Sequence, residues 1–200
     1  MPRVLPFWGV FVALLACSCP AAQASVIASQ TAGFSGSAVG PGSLGQSVTT
    51  PDGGPWNAIT FNLFNFITNA PFAYGTLYLL ADPFAGNVAD LGSATAGYVA
   101  DTSTITDGAW VFPASGTLQP NTQYYFYMAS GVPAPVLFGV DLYAGGLAYQ
   151  TDSRFNWVED TAFDLNFSLA GTAAVATPEP AAAIFLAPAF LALWRNRRSR

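Results

Sequence analysis

The side chains able to do chemistry in this chain are few, and nearly all of them are carboxylates. Histidine and lysine are absent, and the only cysteines, Cys17 and Cys19, sit in an apolar N-terminal stretch. That removes the commonest general base and the Schiff-base amine, and it removes the thiolate once the stretch is cut away. A Ser-His-Asp triad or a histidine-bearing metal site is excluded. Two acids facing each other across a cleft would still suffice for glycoside hydrolysis. The nearest set is Glu159, Asp160 and Asp164, with Glu159 the one glutamate between residues 25 and 176. These acids flank Trp157 in a stretch that reads as a solvated turn. A charged loop is therefore the plainer reading, and a hydrolase using Glu159 with an aspartate is the alternative.

Two other chemistries deserve placing. Asp82, Asn87 and Asp90, or Asp152, Asn156 and Asp160, supply loop oxygens for a structural calcium ion, but no D-x-[DN]-x-[DN]-G loop is present, so no cofactor is assigned. Trp56, Trp110 and Trp157, with Tyr125, are the rings that would stack on sugars if exposed; rings at strand spacing are more often core. Gly40-Pro41-Gly42-Ser43-Leu44-Gly45 matches G-x-G-x-x-G in form only, because Pro51, Gly53, Gly54 and Pro55 forbid the helix that a dinucleotide site needs.

Charge narrows the partners. Charged residues make up 8% of the chain, against about 25% in an ordinary soluble domain. Between residues 25 and 176 there are ten acids and the single base Arg154, so this part carries 10 − 1 = 9 net negative charges. Phosphate backbones repel such a body, which argues against nucleic acid. Divalent cations or neutral polymers such as polysaccharides fit it better.

The elements that must position these groups read as strands. Ile59, Phe61 and Leu63 alternate with Thr60 and Asn62 across residues 56–63, a half-buried strand, with a bulge or strand end expected at Phe64 and Phe66. Residues 75–81 are apolar on both faces and read as a covered central strand. Further strands are expected at 25–30, 46–50, 97–104, 109–113, 123–129, 136–143, 146–151 and 163–170. In the last, Leu165, Phe167 and Leu169 should face in and Asp164, Asn166 and Ser168 out. No window of the body sustains a helical period, so one antiparallel β-sandwich is expected, jelly-roll or immunoglobulin/fibronectin III-like. Leu118-Gln119-Pro120-Asn121-Thr122-Gln123-Tyr124 is similar to the tyrosine corner of fibronectin III-like sandwiches, where the phenol caps the loop backbone and the ring joins the core.

Both ends read as targeting segments. Arg3, an apolar run over 4–16 and Ala22-Gln23-Ala24 form the three parts of a secretory signal peptide, cleaved after Ala24 by signal peptidase and leaving a thiol-free chain. Leu14-Leu15-Ala16-Cys17 resembles a lipobox, so lipidation at Cys17 is the rival. At the other end Pro178-Glu179-Pro180 precedes fourteen apolar residues, 181–194, and then Arg195, Arg197, Arg198 and Arg200. As a helix the run spans about 21 Å, short of a hydrocarbon core of about 30 Å. The arginines would hold the extreme end in the cytoplasm with the body outside. The prolines keep the motif extended, and Glu179 offers a recognising protein a charge.

The order of rigid acidic motif, apolar helix and arginine cluster resembles the PEP-CTERM sorting signal of Gram-negative bacteria. The likeness covers about 24 of the 200 residues. It departs mildly from the family pattern in having Thr177 where a Val often stands. In that family an exosortase, a membrane-embedded cysteine protease, is thought to recognise and cleave the motif, so that the protein reaches the outer surface. The pieces W-x-x-I-T-F, G-T-L-Y-L-L and L-x-P-x-T-x-Y-Y-F-Y also look like the choice-of-anchor bodies that precede such tails. The layout implied is a signal peptide (1–24), a β-sandwich domain (25–172), a linker (173–177) and a sorting tail (178–200), with a signal helix and a short transmembrane helix at the ends. The function implied is that of a non-enzymatic surface or matrix protein, held by its tail helix in the inner membrane before processing and associated outside with exopolysaccharide.

Overall fold

The computed structural model describes residues 23–31, 36–38, 43–65, 68–129, 136–140 and 142–174. Ala22, Cys17, Pro178, Glu179, Pro180, Arg195, Arg197, Arg198 and Arg200 lie outside the described residues, as do both expected terminal helices. Among the described residues no helix is long and apolar enough to cross a membrane.

In chain order the strands are β1 (Ala24–Gln30), β2 (Gly36–Ala38), β3 (Leu44–Thr49), β4 (Trp56–Phe64), β5 (Pro71–Phe72), β6 (Thr76–Leu80), β7 (Tyr98–Thr102) and β8 (Ile105–Thr106). They continue with β9 (Ala109–Val111), β10 (Gln123–Ala129), β11 (Val136–Val140), β12 (Ala148–Thr151), β13 (Trp157–Asp160), β14 (Phe163–Leu165) and β15 (Phe167–Ala173). The first sheet runs β1-β15-β4-β9-β8, with β5 beside β4; the second runs β13-β12-β3-β10-β6-β7; a small third runs β14-β11-β2. All pairings are antiparallel, and the first and last strands of the body pair with each other, Ala24 opposite Thr172.

The two large sheets share one core. Ile59, Phe61 and Leu63 face inward as the alternation requires, and meet Leu77, Leu79, Phe126 and Met128 of the second sheet. At its centre the rings of Phe61 and Phe126 stack with centroids 4.5 Å apart. Burying side chains of this size stabilises by about 1.5–3 kcal/mol each. Trp56 joins the same core because β4 breaks its alternation at Asn57 and Ala58, opposite the register shift between Ala170 and Thr172. Ala58 takes a left-handed φ of 48° there. This irregularity at the start of β4 was not expected, while at its other end Phe64 closes the strand, one of the two outcomes expected there.

The covered strand expected over 75–81 is β6. Leu77 and Leu79 enter the main core, while Leu80 and Tyr78 join a second apolar cluster on the outer face of the second sheet, with Tyr125, Tyr127, Tyr149 and Trp157. Phe84, Val88 and Leu91 of the 81–97 connection cover that cluster.

Two expectations about the acids fail. Trp157, Glu159 and Asp160 are not in a loop: they form β13, which pairs with β12 at the sheet edge, Tyr149 opposite Glu159. Asp164 and Asn166 are buried, not outward. The chain over 163–170 is two strands, and β14 leaves the first sheet for the small one, so the Asp164 side is covered by β3 and by the segment after β11.

Candidate functional site

One open cleft is a candidate site. It lies where the chain crosses from β7 in the second sheet to β8 and β9 in the first, with a volume of about 460 Å³, and is lined by Asp101, Thr102, Ser103, Thr104, Val111, Phe112 and Pro113. Its walls are positioned by a small set of bonds. The hydroxyl of Thr102 donates to Val111 O (2.7 Å) and accepts from Thr104 N–H (3.0 Å), and Val111 N–H donates to Thr104 O (2.9 Å). The crossing turns back through Asp107 and Gly108, with φ of 50° and 77°. These are the two left-handed positions that a tight two-residue hairpin demands, and Asp-Gly is among the pairs that favour it.

Asp101 stands at the lip and accepts a hydrogen bond from the Tyr98 hydroxyl. That bond to Asp101, then burial, pushes the phenol up to about 12, so it remains a donor at any physiological pH. The cleft therefore offers one carboxylate acceptor, the hydroxyls of Ser103 and Thr104, and an apolar strip at Val111 and Pro113. Such a surface suits an uncharged, hydroxyl-rich ligand. It holds no amine, imidazole or thiol to act as base or nucleophile.

Inward from Asp101, aligned residues cross the whole outer face of the second sheet: Asp101, Tyr78, Tyr127, Gly45, Tyr149 and Glu159. Gly45 is required there, because a Cβ would lie 2.8 Å from the Tyr127 ring and 2.9 Å from Phe126 O. The space lets Tyr127 reach Tyr149, at 5.4 Å, and Trp157, at 4.6 Å. Burial pushes the Tyr127 phenol far up, while its oxygen accepts from Phe84 N–H at 3.0 Å. Burial and then the Glu159 carboxylate push Tyr149 up to about 12. Burial raises Tyr125 as well, with Glu159 and Asp82 adding to it. These phenols are packing and donor groups, not bases.

The residues singled out in the sequence are dispersed. Trp56, Trp110 and Trp157 are 5%, 0% and 2% exposed, so none offers a ring face to a sugar, and Tyr125 is buried too. Trp110 Nε1 donates to Gly75 O at 3.1 Å, whereas Trp157 Nε1 is buried with no hydrogen-bond partner. Glu159 accepts from the Tyr149 hydroxyl at 3.4 Å on the outer face. Asp160, next on the strand and so on the opposite face, accepts from Gln150 Nε2 at 3.1 Å. Asp164 is held in the interior. These three acids do not assemble the facing pair that hydrolysis needs.

The two calcium sets are partly committed to loop geometry. Asn87 Oδ1 accepts from Ala89 N–H and its amide donates to Arg154 O, while Asp152 Oδ1 accepts from Arg154 and Asn156 N–H. Those bonds hold the exposed Asp152 carboxyl below the usual carboxylate range. Among the described residues no three acids come together as a metal cluster. Ala24 opens β1. The cleft residues Asp101, Ser103, Thr104 and Pro113 were not singled out by sequence. The signal that could have found them is Asp107-Gly108, which fixes where the chain turns after crossing between sheets. No model of a known protein family matches the chain, and no curated protein matches it.

Proposed function

We propose that the chain is a non-enzymatic exported protein, delivered to the cell surface or extracellular matrix by a PEP-CTERM and exosortase-type route, whose body associates with neutral exopolysaccharide through the cleft at Asp101. The observation that carries the sorting half is the fit of the folded body between two targeting segments. Its strands start at Ala24, the last residue of the A-x-A site, and stop at Ala173, five residues before Pro178. The pairing of Ser25 with Gly171 also brings the first and last described strands of the body to one corner.

For topology we infer a jelly roll. The orders β1-β15-β4-β9 and β3-β10-β6-β7 support it: among these eight strands the chain changes sheets at each connection except the β6–β7 hairpin, which is jelly-roll winding, with β11 to β14 inserted between β10 and β15. The tyrosine corner then serves the crossing from β9 to β10. The ligand half rests on the cleft's carboxylate, hydroxyls and apolar strip together with the negative charge of the body, which disfavours polyanions.

Replacing Pro178-Glu179-Pro180 with three alanines in the host tests the route. The variant should accumulate at the inner membrane with its apolar tail attached, and unchanged mass and location would sink the sorting claim. For the ligand, retention on neutral exopolysaccharide should fall for Asp101→Ala with Ser103→Ala and stay level for Glu159→Gln.

A further inference from the structure

The charges of the body are partitioned between its sheets. No strand of the first sheet, β1, β15, β4, β9, β8 or β5, contains a charged residue. Among the described residues the acids lie on the second sheet (Asp101, Glu159, Asp160), in the small sheet (Asp164) and in turns (Asp52, Asp82, Asp90, Asp107, Asp152). The outward positions of the first sheet are neutral: Ser29, Ser168 and Asn62 in one row, Val26, Ala170, Thr60 and Val111 in the next, with Phe64 at the end of β4.

The edges differ in the same way. Natural sheets guard their edges with charges, bulges or short strands, because unpaired N–H and C=O groups template pairing with another chain. In the second sheet β13 carries Glu159 and Asp160, and β7 carries Asp101. In the first sheet β8 is two residues long and is followed by Asp107. By contrast β1, the outermost described strand on the other side, has seven residues and no charge or proline. Its one guard is a bulge between Val26 and Ala28, and Val26 is left 64% exposed.

We propose that the first sheet is a self-association surface: a second copy of this chain docks on it, with β1 as the leading edge. A body with nine net negative charges repels its own kind over most orientations. Approach through the first sheet brings the two uncharged surfaces together and keeps the acids of both copies outside. A cationic partner would find no acid on this sheet to pair with, and a second copy is the partner whose matching surface the chain already carries. This inference does not depend on the sorting route or on the cleft.

Sedimentation velocity of the protein purified from its host tests it, over a concentration series at low and at moderate salt. Wild type should dimerise, and more tightly as salt rises, because the repulsion screened is between acids outside the contact. Val26→Glu and Ser168→Glu should each raise the dimer dissociation constant about tenfold or more, since like charges would then face each other across the contact. Val158→Glu, on the edge of the second sheet, should leave it unchanged. The salt series needs no variant and so stands even if a substitution disturbs folding. A monomer at every concentration and salt overturns the proposal. So does a dimer that weakens with salt, one broken by Val158→Glu but not by Val26→Glu, or a sheet occupied by co-purifying polysaccharide in place of a second copy.

Discussion

The amide of Gln46 donates to the carboxylate of Asp164 at 3.0 Å, across 118 residues of sequence, in the closed interior. The same Gln46 accepts from Leu165 N–H at 2.9 Å, and the second carboxylate oxygen of Asp164 accepts from the N–H groups of Leu142 (3.1 Å) and Tyr143 (2.8 Å). Two polar side chains thus tie β3 of the second sheet to β14 of the small sheet and to the segment that follows β11. A buried carboxylate is tolerable only when donors surround it.

Removing that carboxylate should be costly. Asp164→Ala would leave three donors facing an empty site, and a loss of about 3 kcal/mol is expected. For a domain of this size that lowers the melting temperature by roughly 6–12 °C. Thermal denaturation followed by far-UV circular dichroism reads it, and a variant melting within about 2 °C of wild type contradicts a structural role.

The tyrosine corner makes a smaller, sharper prediction. Gln119 N–H donates to the Tyr124 hydroxyl at 2.9 Å while the ring packs in the core. Tyr124→Phe keeps the ring and loses the acceptor, for an expected cost of about 1 kcal/mol. Tyr125→Phe, which loses only a bond to the side chain of Gln123, should cost less in the same denaturant titration. Equal costs would mean that the corner bond adds nothing particular.

Gly45 makes room for an aromatic neighbour. Gly45→Ala places a methyl against the Tyr127 ring and Phe126 O, and about 1–3 kcal/mol of destabilisation is expected. In a double-mutant cycle with Tyr127→Ala the cost should shrink, because one of the two obstacles is gone. Strict additivity would show that the ring is not what Gly45 accommodates.

Alkali should unfold the protein through its tyrosines. Burial raises Tyr125, Tyr127, Tyr143 and Tyr149 above the ordinary value near 10, with Tyr149 pushed up to about 12. The unfolded chain then releases these protons at lower pH than the folded one. The stabilisation is complete below pH of about 10 and is lost as pH rises through about 12. Denaturant midpoints should fall across that window, and phenolate absorbance should lag until the fold is lost. Ordinary phenolate titration with the fold intact would contradict the assignment.

How much of this was legible depends on how local the signal was. Ile59, Phe61 and Leu63 announce an inward face by period alone, and Leu118 to Tyr124 carries its corner in seven residues. β13 was missed because Trp157–Asp160 is short and acidic, and its strand pairing comes from β12 rather than from its own pattern. The burial of Asp164 depends on Gln46, far away in sequence, so alternation alone sent it outward. Trp56 and Trp110 were placed in strands and Trp157 in a turn, and which face each occupies is decided by sheet packing and by the 81–97 cover. The cleft at Asp101 is a product of topology, formed where two sheets meet, and only the Asp107-Gly108 turn hinted at it.

The export and processing claim is tested most directly by the intact mass and N-terminal sequence of the protein recovered from outside its host's cells. The expected species begins at Ser25 and has lost the apolar and basic residues after the Pro178-Glu179-Pro180 motif. A chain confined to the inner membrane and still ending at Arg200, or one beginning at Met1 or at a lipid-modified Cys17, would contradict it.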